Sequence, residues 1–330
     1  MNTRRYSAFH ARDIVAALAV LLGFVGTAWA AQPTYPNKAI RILVPFTAGG
    51  LTDILGRGIG ERLTAAWGQP VVVDNRPGAD GMLATQIVSK ANPDGYTLLM
   101  IGLSYAANPS VHRNLPYDTV RDFTPVILAA DAPMVLAVHP EVKANTVSEL
   151  VALARAKPGQ INFASGGTGS SQHLAAVLFE ITAKVELYHI QYKGAAPAVT
   201  DLLGGRVQMM FAPLAQSTQH AKAGRLKLLG VTSPQRVAFN PELPTIMESV
   251  PGYEARAWYG LAAPSGVPKD IVLKLNGKIA EELRGPVLSE KLMAMGLVPG
   301  GGMPDEFAAF IRNEMTKYAA VVKKAGIKLD

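Results

Sequence analysis

Residues 39–53 read AIRILVPFTAGGLTD, and residues 161–174 read INFASGGTGSSQHL. Each stretch begins with a short β-rich run, passes through a glycine turn set with hydroxyls, and opens a helix. In the first, Ala39 to Val44 predicts a strand ended by Pro45. Residues 54–67 then carry Leu55, Ile59, Leu63 and Ala66/Trp67 on one helical face. In the second, Ile161 to Phe163 predicts a strand, Ser165 to Ser171 a loop, and His173 to Thr182 a helix. Strands alternating with helices through such turns predict an α/β fold with a mainly parallel sheet.

The same grammar extends outward from both stretches. Val71-Val72-Val73 and Tyr96 to Ile101 read as strands around a helix from Met82 to Lys90. Met134 to Val138, Val207 to Phe211, Leu226 to Val231 and Trp258 to Ala263 read as further strands. Thr146-Val147-Ser148-Glu149 is a capping box opening a helix to about Ala156. Ala195 to Leu203 is helical, and two amphipathic helices lie near Asp270–Leu283 and Pro304–Lys324. Residues 32–125 offer few strands for a complete doubly wound domain, and the C-terminal helices need something to cover. The expected division is therefore 31–130 plus 257–330 as domain 1 and 131–256 as domain 2. The crossings near residues 126–134 and 254–262 would then act as hinges.

Residues 1–30 stand apart. A polar, basic start to Asp13 precedes an uncharged, mostly apolar run from Ile14 to Ala28, and Ala28-Trp29-Ala30 supplies small residues for cleavage. This is the pattern of a secretory signal peptide. The apolar run is shorter than the ~20 residues a spanning helix needs. The mature chain is expected to begin near Ala31 or Gln32 and to be periplasmic.

Composition narrows the chemistry. The chain has 330 residues, 49% hydrophobic and 17% charged, which excludes intrinsic disorder. It contains no cysteine, which removes a thiol nucleophile, a Cys-ligated zinc and an iron–sulfur cluster. The net charge is +7, but the basic residues are scattered rather than gathered into a nucleic-acid stripe. Histidines 139, 173, 189 and 220 show no metal-ligand spacing. No cofactor or metal is expected.

Both glycine loops are candidate anion sites, because a helix N-terminus presents unpaired N–H groups and a partial positive charge. Thr47, Thr52, Ser165, Thr168, Ser170 and Ser171 add neutral hydroxyl donors. Neither 42–56 nor 159–183 contains Lys or Arg, and neither loop fits G-x-x-x-x-G-K-[ST] or G-x-G-x-x-G. A polyphosphate site would recruit a basic side chain. Neutral donors at two helix ends suit one or two carboxylates better. Asp53 would repel an anion, so it either caps the first helix or meets a water or ammonium group. Gly102-Leu103-Ser104-Tyr105-Ala106 imitates a nucleophile elbow, but that motif needs a helix immediately afterwards. Ala107-Asn108-Pro109-Ser110 reads as a turn.

The ordered motifs YPNKAIRILVPFTAGGLTD, VVVDNRPGADG (71–81), NPDGYTLLM (92–100), LPYDTVRDFTPV (115–126), INFASGGTGSSQHL, YKGAAPAVTDLLGGRVQMMF (192–211), WYGLAAPSGVP (258–268) and FAAFIRNEMTKYAAVVKKAGIK (307–328) together resemble the Bug family. These are periplasmic solute-binding receptors of tripartite tricarboxylate transporters. The resemblance covers nearly all of 35–328. It implies two doubly wound α/β domains with a ligand cleft between them, of the type II periplasmic-binding-protein kind, closing on a carboxylate held by loops and helix ends. By position it carries ligand contacts onto Phe46, Thr47, Ala48, Gly49, Gly50, Thr52 and Asp53, and onto Ser165, Gly166, Gly167, Thr168, Gly169, Ser170 and Ser171. Ser104, Gly194 and Ala212 join them. The family often has Asp where Ala212 stands, and Pro where Thr47 or Ala48 stands. If that Asp binds an amine in some members, Ala212 argues against an amino-acid ligand.

The expected function is an exported, monomeric receptor that delivers a small carboxylate to the membrane subunits of such a transporter. The alternatives are a secreted serine hydrolase or esterase using Ser104 and a sensor subunit that presents its ligand to a signalling partner.

Overall fold

A computed structural model describes residues 34–238 and 240–326. The proposed signal peptide lies outside the described residues. Residues 34–37 carry no helix or strand, and a compact unit begins at Lys38.

The first glycine stretch folds as β1 (Ile40–Val44) followed by α1 (Leu51–Trp67). β1 is buried at Ile40, Ile42, Leu43 and Val44, as such apolar residues require of a strand covered on both faces, while Arg41 is only partly buried and pairs with Asp74. α1 ends where Gly68 takes the left-handed conformation at φ 68°. β2 (Val71–Asn75), α2 (Met82–Ser89), β3 (Thr97–Gly102) and α3 (Leu103–Val111) come next. α3 replaces the turn expected at 107–110. Pro109 sits in its last turn, and burial of Leu103, Tyr105, Ala106, Ala107 and Val111 outweighs the one backbone hydrogen bond that proline removes. Tyr105 anchors the helix by donating to Thr119 O at 2.6 Å.

β4 (Phe123–Ala132) then leads through Pro133 into β5 (Met134–Val138). α4 (Val147–Ala156), capped by Thr146, precedes the second glycine stretch, β6 (Asn162–Ser165) and α5 (Ser171–Ala183). β7 (Tyr188–Gln191), α6 (Ala195–Leu203), β8 (Met209–Pro213), α7 (Leu214–Lys222) and β9 (Lys227–Val231) continue the chain. The remainder is β10 (Ala257–Pro264), α8 (Lys269–Arg284), α9 (Pro286–Ala294), β11 (Val298–Gly301) and α10 (Pro304–Ala325).

The strands form a six-stranded sheet ordered β11-β4-β10-β3-β1-β2 and a five-stranded sheet ordered β7-β6-β8-β5-β9. Each is mixed, not mainly parallel. The strands joined by helical crossovers, β1 with β2 and β3, and β6 with β7 and β8, pair in parallel. β10 runs antiparallel to β3 and β4, and β5 antiparallel to β8 and β9. The reason is the route of the chain. β4 and β5 carry it out of one sheet into the other and β10 brings it back, so these strands enter against the βαβ direction.

Leu43, Leu99, Ile101 and Trp258 centre the core beside the six-stranded sheet, with Phe307 and Ile311 of α10 packed on them. Leu136, Phe163, Phe179, Phe211 and Tyr253 centre the core beside the five-stranded sheet, and Tyr318, Val321 and Val322 of α10 pack there. One helix therefore begins in one core and ends in the other. Packing is tight beneath its first turns, since a Cβ on Gly260 of β10 would lie 2.2 Å from Phe307 Cζ.

Candidate ligand-binding cleft

A cavity of about 400 Å³ lies between the two sheets. Three helices of nine residues or more begin at its wall, each straight after a strand or its glycine turn: α1 at Gly50 and Thr52, α3 at Gly102 and Ser104, and α5 at Ser170 and Ser171. The first N–H groups of each helix have no intrahelical acceptor, so all three bring partial positive charge to one space. Phe46, Leu103, Ala107, Val111, Ala257 and Trp258 supply apolar wall, with Asn108 and Tyr259 as further polar groups. Among the described residues, no Asp, Glu, Lys, Arg or His lines this cavity. Burial pushes the Tyr259 phenol up to about 12, so it stays protonated at neutral pH.

The first loop is held from outside the cavity. Asp53, 3% exposed, accepts the Gly49 N–H at 2.9 Å and Arg57 Nε at 3.1 Å. Arg57 also donates to Asn75 Oδ1 at 2.9 Å, and Asn75 Nδ2 donates to Phe46 O at 3.0 Å. Burial works against the Asp53 charge, but Arg57, the Gly49 N–H and Asn75 together hold its carboxyl below the usual range. Asp53 is thus a clamp on the loop.

The second loop is clamped too, and more densely. Gly167 N–H donates to Ser165 Oγ at 3.2 Å, and Gly169 N–H donates to His173 Nδ1 at 3.1 Å. Ser165 Oγ lies 2.7 Å from His189 Nε2. Thr168 Oγ1 donates to Gln191 Oε1 at 2.8 Å, and Gly194 N–H donates to Gly166 O at 3.0 Å. Ser170 Oγ caps α5 by accepting the His173 N–H.

The structure brings Phe46, Gly50, Thr52, Ser104, Gly166, Gly167, Thr168, Gly169, Ser170 and Ser171 to the cavity wall. It places Thr47, Ala48, Gly49, Asp53, Ser165, Gly194 and Ala212 off that wall. Ser165 is fully buried at the end of β6, where its Oγ meets His189 of β7 and accepts the Gly167 N–H. Ala212 is fully buried mid-strand opposite Val135. The glycine N–H groups of the second loop point mostly into the clamp, which leaves the α5 N-terminus as its main donor set. Sequence reading missed the α3 N-terminus and the Ala257-Trp258-Tyr259 wall. The GLSYA segment was the available signal for the first, but Pro109 concealed the helix.

Two α/β sheets facing one another across an uncharged cleft rimmed by helix N-termini define a solute-binding receptor of the periplasmic class. The chain belongs to the tripartite tricarboxylate transporter receptor family, whose pattern matches residues 55–327. It is 37% identical over 319 residues to protein BugT of Bordetella pertussis, across 94% of this chain and 98% of that one. Among solved structures, it is 38% identical to Rhodopseudomonas palustris Rpa4515 with adipate, with a TM-score of 0.76 over 89% of this chain and 100% of that one. MatC from the same organism, with bound malate, is 29% identical, with a TM-score of 0.72 over 87% of this chain and 100% of that one. No helix among the described residues is long and apolar enough to cross a membrane.

Proposed function

We propose that this chain is an exported receptor that captures a small organic carboxylate in the cleft and passes it to the membrane subunits of a tripartite tricarboxylate transporter. The observation that carries this reading is the convergence of three helix N-termini on one cavity with no charged side chain. Such a site attracts an anion without the basic residues that phosphates favour. Its apolar wall suits a carbon skeleton, and the adipate and malate held by the two relatives fit the same chemistry. Residues 1–30 serve as the export signal, and the chain acts as a monomer. The two sheets are the cores of two domains, 31–130 with 257–330 and 131–256, which close on the ligand about the crossings at Pro133 and 255–257. Small-angle scattering with saturating ligand is expected to show compaction.

The hydrolase reading gains one point, since Ser104 does sit at a strand-to-helix turn, as the second residue of α3. It lacks a base. The cavity offers Ser104 no histidine or carboxylate to take its proton. The deciding experiment is calorimetry on ligand-stripped protein with aliphatic and aromatic carboxylates, their amides, sugars and sugar phosphates. A carboxylate is expected to bind at roughly micromolar Kd, and its amide hardly at all. Equal binding of acid and amide, or a response to sugars alone, refutes the reading.

A further inference from the structure

Behind the second loop three rings stack nearly parallel. The His189 ring of β7 packs against both Phe163 of β6, at 4.7 Å and 12°, and His173 of α5, at 4.1 Å and 13°, and those two rings lie 6.2 Å apart at 13°. Neither imidazole touches the cleft cavity. Both line a separate cavity of about 940 Å³ on the far side of the loop, and Thr168 lines both spaces. Each ring nevertheless grips the loop. His173 Nδ1 accepts the Gly169 N–H directly, at 3.1 Å. His189 Nε2 lies 2.7 Å from Ser165 Oγ, which accepts the Gly167 N–H at 3.2 Å. Gly167 and Gly169, so held, have φ 133° and 80°, shapes that glycine adopts readily and other residues rarely. Gly167 and Gly169 both line the cleft.

We propose that His173 and His189 are positioning residues for the ligand loop: stacked on Phe163, they fix Gly169 and Gly167 from the side opposite the ligand and so aim the α5 N-terminus into the cleft. This rests on the carboxylate-receptor reading above. The arrangement requires an unprotonated Nδ1 on His173, because a protonated nitrogen cannot accept the Gly169 N–H. Burial, with the neighbouring His189, holds the His173 ring down to about 4, and burial lowers His189 as well. The charged and titratable groups around the pair on that cavity are Arg155 of α4, Glu180 of α5, Lys184 and Glu186 of the α5–β7 connection, and Lys324 of α10. Burial raises Glu180 while its carboxylate accepts the Leu187 N–H. Acid therefore breaks the Gly169 bond and sets two cations face to face. Affinity for the ligand is expected to fall with the loop's shape.

Two variants separate positioning from packing. His173→Phe keeps a stacked ring and removes the acceptor. His173→Asn keeps an acceptor at the same place and removes the stack. The first readout needs no ligand: hydrogen exchange of the Gly169 amide in the mature protein, corrected for intrinsic rate, between pH 7 and 4.5. Wild type is expected to protect Gly169 at pH 7 and lose protection toward pH 4.5. His173→Phe is expected to lack protection throughout, and His173→Asn to keep it throughout. The second readout is calorimetry with adipate, or with the carboxylate that binds most tightly if adipate does not bind. His173→Phe is expected to weaken Kd about tenfold, and His173→Asn to stay within about threefold of wild type. Corrected for protonation of the ligand, the wild-type Kd is expected to weaken in acid more than that of His173→Asn. Retained Gly169 protection in His173→Phe, or equal loss of affinity in both variants, overturns the proposal. If wild type binds no carboxylate, the receptor reading fails, and the exchange pattern alone still decides whether the histidines position the loop.

Discussion

Replacing Asp53 by Asn separates a clamp from a ligand contact. Asp53 is 3% exposed and accepts the Gly49 N–H at 2.9 Å. A hydrogen bond to an ionised acceptor contributes about 1.5–3 kcal/mol. The pair with Arg57 adds less, since that side chain is 52% exposed and solvent screens the contact to about 0.5 kcal/mol. A carboxylate in the first turn of α1 adds about 0.5 kcal/mol more against the helix dipole. Asparagine can put its amide oxygen where Oδ2 accepts both the Gly49 N–H and Arg57 Nε, but only as a neutral acceptor, and its NH2 then faces Arg57 Nη2 where Oδ1 stood. The expected net loss is about 2 kcal/mol, read as a lower urea midpoint at unchanged m by roughly 0.5–1 M. Binding responds in two opposing ways: the loosened loop disfavours the ligand, while removing a negative charge favours an anion. The Kd of a bound carboxylate is therefore expected to change by less than about tenfold. Unchanged stability refutes the clamp. Unchanged stability with a loss of affinity beyond about a hundredfold shows instead that Asp53 meets the ligand.

Ser104→Ala removes a hydroxyl from the cavity wall at the α3 N-terminus and is expected to weaken carboxylate binding by about 1.5–3 kcal/mol, measured by calorimetry. Gly167→Ala places a Cβ in ordinary contact with Tyr192 O, so its cost is the backbone φ of 133°, about 1–3 kcal/mol of strain. A reduced urea midpoint together with weaker binding checks this. Stability is expected to fall in acid because of His173. As pH drops below its unfolded value of 6.5 toward about 4, the unfolded chain takes a proton that the folded protein refuses, at a cost of about 3 kcal/mol. Stability is full above 6.5, and urea midpoints across this window are expected to fall less steeply in His173→Phe than in wild type.

Both glycine turns were legible because period-two and period-3.6 patterns switch across a few residues at 39–53 and 161–174. α3 was not, because Pro109 outweighs its neighbours in any local reading, and only the buried faces of Tyr105 and Val111 reverse that. β7 and β11 escaped notice as four-residue edge strands, one carrying Tyr188 at 58% exposure and the other reading VPGG. The direction of a loop N–H is also invisible in sequence. Glycine and serine at 165–171 announce donors, but only the placement of His173 and His189 decides that several face away from the ligand. Sequence alone leaves Asp53 open between cap and ligand contact for the same reason, since its partner Asn75 is distant in the chain.

α10 begins against Trp258 and ends beside Tyr253 and Phe179, so its two halves answer to different cores. Its buried Glu314, bonded to Trp258 Nε1 at 3.0 Å, sits between them. If the two domains close as proposed, both halves of this helix must accommodate the movement. Apparent affinity scales with the fraction of molecules able to close. On that proposal a change at Tyr318 or Val322, far along the chain from either glycine loop, is expected to retune capture without touching a ligand atom. The proposed closure would give selection two dials: cleft residues would choose the solute, and the C-terminal helix would set how readily the protein commits to it.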